Sequence, residues 1–83
     1  MHQVDWEPSA LDMLALICLQ KPNRWPEINS AADIIEFRLQ RDPISHSRHV
    51  AEELRRIDVS PLAAYFAVTG SQVTIGSLRW IGG

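Results

Sequence analysis

The order of polar and apolar positions divides the 83 residues into a helical first half and a sheet-forming second half. Val4 and Trp6 alternate with polar neighbours and stop before Pro8, the pattern of a short strand leading into a helix. Pro8 and Ser9 suit a helix start. Leu11, Leu14, Ala15 and Cys18 then return at spacings of three and four, which predicts a first helix to about Gln20 with those residues on its apolar face. Lys21-Pro22-Asn23 closes it, because proline disfavours helical geometry in the residue before it. A second helix is predicted from about Pro26, with Ile28, Ala31, Ala32, Ile35 and Leu39 facing inward and Asn29, Asp33, Glu36 and Gln40 facing water, until Asp42-Pro43. The short connection between the two leaves a helical hairpin.

After Pro43 the composition shifts toward β-branched and aromatic residues. Strands are predicted at 54–59, 62–68 and 73–81, with Ser60-Pro61 and the Thr69-Gly70-Ser71-Gln72 stretch as turns. The segment before residue 54 is read as an exposed loop. The predicted order is β-α-α-β-β-β. This is an α+β fold in which the helical hairpin covers one face of a small, mostly antiparallel sheet and the first strand joins an edge. Leu14, Ile35, Leu62, Phe66 and Val68 are the expected core.

Length and composition narrow this further. A chain of this size has room for one core, so residues 1–83 are read as a single domain. With 46% hydrophobic and 22% charged residues it lies in the range of chains that fold. No apolar run approaches the roughly 20 residues of a membrane span. Met1-His2-Gln3-Val4-Asp5 also lacks the basic start of a secretory signal, so the expected location is the cytoplasm. Cys18 is alone, which excludes an internal disulfide or a cysteine-based zinc site, and no metal or cofactor is expected. A net charge of -2 argues against a broad nucleic-acid-binding face. Arg38, Arg41, Arg48, Arg55 and Arg56 nonetheless crowd the middle of the chain with His46 and His49. Glu36, Asp42, Glu52, Glu53 and Asp58 are interleaved there, so only a local basic patch is compatible with the pattern.

Several fragments, spread over nearly the whole chain, carry a family resemblance. Val4-Asp5-Trp6 with Ala10 and Leu14, Arg41-Asp42-Pro43, and Arg55-Arg56-Ile57 come first. Pro61-Leu62 before Tyr65-Phe66-Ala67-Val68 follows, and then Val73-Thr74-Ile75 before Leu78-Arg79-Trp80. In order and spacing they resemble the RelE/ParE-type plasmid-stabilisation toxins of toxin-antitoxin systems. The resemblance implies a compact toxin fold and a cognate antitoxin as partner. It also implies one of two activities: ribosome-dependent mRNA cleavage by a metal-independent endoribonuclease, which inhibits translation, or poisoning of DNA gyrase. For the ribonuclease branch it further implies an arginine on the middle strand, where this chain has Ala63-Ala64, and a tyrosine or histidine in a short C-terminal extension, where this sequence reaches Gly83. Both departures predict a weakened or degenerate active site.

Cleaving RNA through its own 2′-hydroxyl needs a base for that hydroxyl, cations for the phosphorane charge and an acid for the leaving oxygen. The candidates for catalysis are Arg56, Arg79 and Tyr65, with Arg48, Arg55, His46 and His49 as further RNA- or phosphate-binding groups. Tyr65 shares a side with Ala63 and Ala67, away from the main core, and Arg79 shares the parity of Val73 and Ile75, which is compatible with a semi-buried face, although an arginine at a strand's end more often extends its head to water. Trp6 is assigned to the core, whereas Trp25 and Trp80 are the candidate partner-binding anchors. Two function classes stay open. One is a toxin acting on ribosome and mRNA. The other is a non-enzymatic binding protein of the same fold, directed at gyrase, or a degenerate member whose partner is an antitoxin or a second copy of itself.

Overall fold

A computed structural model describes residues 1–82. The elements are β1 (Gln3–Trp6), α1 (Pro8–Gln20), a 3-10 turn (Pro22–Arg24), α2 (Trp25–Arg41), β2 (Arg48–Ala51), β3 (Leu54–Val59), β4 (Leu62–Thr69) and β5 (Gln72–Trp80). The strands form one five-stranded sheet in the order β1-β5-β4-β3-β2. Strands β2 to β5 follow one another antiparallel, and the helical hairpin returns the chain so that β1 lies parallel to β5, with Val4 opposite Val73 and Trp6 opposite Ile75. Both helices lie on one face and leave the other open.

The predicted inward stripe of α2 holds residue for residue: Ile28, Ala31, Ala32, Ile35 and Leu39 are all buried. They meet Ile57, Leu62, Ala64, Phe66, Val73, Ile75 and Leu78 from the sheet. In α1 the buried residues are Ala10 and Ile17, with Met13 and Leu14 partly buried beside them. Leu11 and Ala15, expected inward, are exposed. The helix is apolar on most of its circumference, so two adjacent stripes satisfy the three-four spacing, and contact with β5 selects the one through Ala10 and Ile17. Of the expected core, Ile35, Leu62 and Phe66 are buried, while Leu14 and Val68 pack at its margin. Trp6 also sits at the margin, its indole N–H donating to Glu36 Oε1 at 2.8 Å.

Two features correct the sequence reading. The stretch before β3 contains a further strand, β2, so the order is β-α-α-β-β-β-β. All four of its residues are exposed at the sheet edge, so no apolar alternation marks it. The second correction lies in β5. Tyr65 pairs with Ser77 and the adjacent Phe66 with Ile75, so Gly76 is an extra residue in the ladder. Such a bulge shifts side-chain parity by one. Val73 and Ile75 face the helices before it, Leu78 faces them after it, and Arg79 is therefore turned to the open face and exposed.

Candidate functional site

The open face of the sheet is organised by cross-strand rows. Arg48 of β2 pairs with Arg56 of β3, Arg56 with Tyr65 of β4, and Tyr65 with Ser77 of β5. The next row is Asp58, Ala63 and Arg79. The period of two that sends Ile57 into the core sends Arg56 and Asp58 outward. The bulge at Gly76 brings Arg79 to the same side. The three residues singled out as catalytic candidates, Arg56, Tyr65 and Arg79, are thus neighbours on one surface.

Their contacts are specific. Arg56 donates from Nη1 to the Tyr65 hydroxyl at 3.0 Å and from Nε to Asp58 Oδ1 at 2.6 Å. The Arg79 guanidinium is the largest influence on Tyr65. It and then Arg56 draw the phenol below the ordinary tyrosine pKa against the opposing effect of desolvation. The Arg56 guanidinium is held protonated, first by its bond to Asp58. Ala63 lies on this face between Asp58 and Arg79 and is fully buried, yet it stands outside the core cluster, so the surrounding side chains close over its methyl group. An arginine from β5 therefore occupies the region where the resemblance had implied one on β4.

The remaining candidates divide. His46 and Arg48 line a depression of about 320 Å³ that also touches Arg56 and Asp58. Arg55 points to the other side of β3, where its guanidinium donates to Ser47 Oγ at 2.8 Å and to the Ser47 carbonyl at 3.2 Å, fastening the loop ahead of β2. His49 is bonded through Nε2 to the Glu52 carbonyl at the sheet edge. Histidines three apart in sequence are thereby kept in different settings. Trp25 is 48% exposed and donates its indole N–H to the Cys18 carbonyl at 2.5 Å. Trp80 is partly buried, with Lys21 Nζ 4.5 Å and Arg24 Cζ 5.2 Å from its ring centroid. Neither tryptophan is sealed in the core. Among the described residues no group of three metal-ligating side chains occurs and no helix is long and apolar enough to cross a membrane.

Sequence reasoning missed Asp58, whose signal was its spacing of two from Arg56. It also missed the isolated glycine in β5, which is the usual mark of a bulge. Glu7 was missed as well. It lines an apolar groove of about 360 Å³ beside the cluster, together with Leu54, Tyr65, Ala67, Thr74 and Ser77.

No protein-family profile matches the sequence, and no curated protein matches it. In three dimensions the chain is similar to one from the toxin-antitoxin complex RelBE2 of Mycobacterium tuberculosis, with a TM-score of 0.78, 14% identity and coverage of 95% of this chain and 96% of that one. It is similar also to a chain of the chromosomal ParDE toxin-antitoxin system of P. aeruginosa, with a TM-score of 0.81, 16% identity and coverage of 98% and 97%. At these identities the likeness establishes the fold, which is the RelE/ParE-type toxin fold.

Proposed function

We propose that this chain is the toxin half of a toxin-antitoxin pair and that its open sheet face engages RNA phosphate through Arg56 and Arg79. The observation that carries the reading is the placement of these two guanidiniums in adjacent cross-strand rows beside the one tyrosine of the chain, to which Arg56 is hydrogen-bonded, on the face the helices leave uncovered. Paired guanidiniums suit a phosphate, because each presents several N–H donors in a fixed plane. The overall charge of -2 is compatible with such a focused site. The partnership with an antitoxin rests on the fold and on the exposure of Trp25, and a short adjoining reading frame encoding a DNA-binding protein is the expected genetic setting.

For catalysis the cluster supplies two of three requirements. Arg56 and Arg79 offset charge on a phosphorane, and Tyr65 is one proton-transfer group whose ionised form its neighbours favour. The other titratable group bonded into the cluster, the Asp58 carboxylate, is engaged with Arg56 and sets a negative charge beside the phosphate position. Cleavage is therefore slow, and inhibition by binding is the stronger mode. His46 is the imidazole that shares a depression with Arg56.

The test is induced expression of wild type and of an R56A/R79A double variant of verified fold, reading growth and the 5′ ends of cellular mRNA. Arrest that depends on both arginines, with little cleavage, is the expected result. Robust cutting on ribosomes that the variant loses assigns the chain to the enzymatic branch. Arrest with no change in mRNA but with inhibited gyrase supercoiling assigns it to the gyrase-directed branch. Arrest unchanged in the folded variant contradicts the assigned role of the arginines.

A further inference from the structure

Beside the Arg56–Tyr65–Arg79 cluster runs the apolar groove floored by Ala67, Thr74 and Gly76 and bounded by Leu54, Tyr65 and Glu7. Glu7 is its one charged lining residue, and its position is built in. Its backbone N–H donates to the Ile75 carbonyl at 2.9 Å, extending β1 by one bond along β5. Its own carbonyl then accepts from Ala10 and Leu11 as α1 begins. Ser9 ties the same helix end to the bulge, its hydroxyl donating to the Gly76 carbonyl at 2.7 Å. Gly76 leaves the carboxylate its place, since a Cβ added there would come 3.1 Å from Glu7 Oε1. The carboxylate itself makes no hydrogen bond or ion pair among the described residues. A carboxylate on a backbone held by β5, without a partner among the described residues, thus stands beside an apolar slot that ends at Tyr65.

We propose that this groove is a nucleobase subsite selective for guanine, the base of a nucleotide whose phosphate sits on Arg56 and Arg79. The proposal rests on the phosphate reading above. Its chemistry follows from the edges of the bases. Guanine presents two adjacent donors, N1–H and the exocyclic N2 amine, which match the two oxygens of one carboxylate. Adenine and cytosine present one amine beside a ring acceptor, and uracil presents one N–H between two carbonyls, so each sets a lone pair against Glu7. Single-stranded RNA is read in this way, by unstacked bases placed against apolar or aromatic side chains and bonded along their Watson–Crick edges. The small floor residues Ala67 and Gly76 leave room for a flat ring.

The experiment titrates the whole protein with guanosine, adenosine, cytidine and uridine 3′-monophosphates by calorimetry, for wild type, E7Q, G76A and R79A. Guanosine monophosphate is expected to bind about tenfold tighter than the other three, in line with one bidentate base contact. E7Q is expected to erase that preference by weakening guanosine monophosphate, while the other three nucleotides, relieved of the carboxylate, bind at least as well as to wild type. G76A, which crowds the carboxylate without removing it, is expected to reduce the preference, and R79A to weaken all four alike. Binding that depends on Arg79 but ignores the base, or a guanine preference that survives E7Q, overturns the subsite and leaves the phosphate reading standing. Failure of all four nucleotides to bind overturns both.

Discussion

Asp58 is the residue at which the account of the open face makes its least obvious demand. Replacing it with asparagine removes one negative charge from beside Arg56 and preserves the shape of the side chain. A phosphate on Arg56 lies about 6 Å from that carboxylate, where two like charges repel by ~0.7 kcal/mol in bulk water and ~3 kcal/mol at an effective surface dielectric of 20. The Asp58 side chain is 42% exposed, which places the repulsion nearer the watery limit. A value of ~1 kcal/mol corresponds to about fivefold tighter binding. The substitution also removes an ion pair whose other half is only 16% exposed, so it costs up to ~1 kcal/mol of stability. D58N is therefore expected to bind RNA better while unfolding more easily. Fluorescence anisotropy with a labelled single-stranded 10-mer and urea denaturation read the two effects separately. Binding that is unchanged or weaker in D58N would refute the claim that phosphate sits on Arg56, because any anion there must feel the carboxylate.

Other expectations follow from particular contacts. The chain has one tyrosine, so the change in absorbance at 295 nm on raising the pH, over the constant background of the three tryptophans, reports Tyr65, with a midpoint below that of free tyrosine that rises in R79Q and, to a smaller extent, in R56Q. A lowered phenol pKa in the folded state contributes stability that is fully present above the unfolded pKa and lost as pH falls through the folded one. This contribution belongs to the alkaline range and is absent at neutral pH. F66A should cost about 3 to 5 kcal/mol in urea denaturation, since Phe66 is buried in the core cluster on the central strand. W25F removes the bond to the Cys18 carbonyl at the end of α1 and should cost ~1 kcal/mol at most, because water reaches that carbonyl in its place.

How much of this was legible beforehand depended on how well local pattern and long-range pairing agreed. The α2 stripe was legible because Asn29, Asp33, Glu36 and Gln40 define its wet side, leaving one solution. The α1 stripe was ambiguous for the opposite reason: Leu11, Leu16 and Leu19 are apolar yet exposed, so period alone does not choose a face. Strand β2 was invisible because Arg48, His49, Val50 and Ala51 are held by pairing to β3 and bury nothing. The candidate residues could be listed from the sequence, but where they lie could not be read from it. Parity put Tyr65 on the outer face correctly, but it put Arg79 on the inner one, since the extra residue at Gly76 belongs to the pairing of β5 with β4 and leaves only an isolated glycine in the sequence. Asp58 is marked only by its spacing of two from Arg56, and Glu7 acquires meaning only when β1 is laid beside β5, which no spacing along the chain encodes.

The central claim is that Arg56 and Arg79 together form an RNA phosphate site, and its most direct test is the salt dependence of single-stranded RNA binding. Each phosphate neutralised on a single strand contributes about 0.7 to the slope of log K against log salt, so the R56A/R79A variant, which loses the one phosphate the pair holds, should show a slope shallower by roughly 0.7 than wild type, together with weaker binding at low salt. A folded double variant with the wild-type slope and affinity would contradict the account.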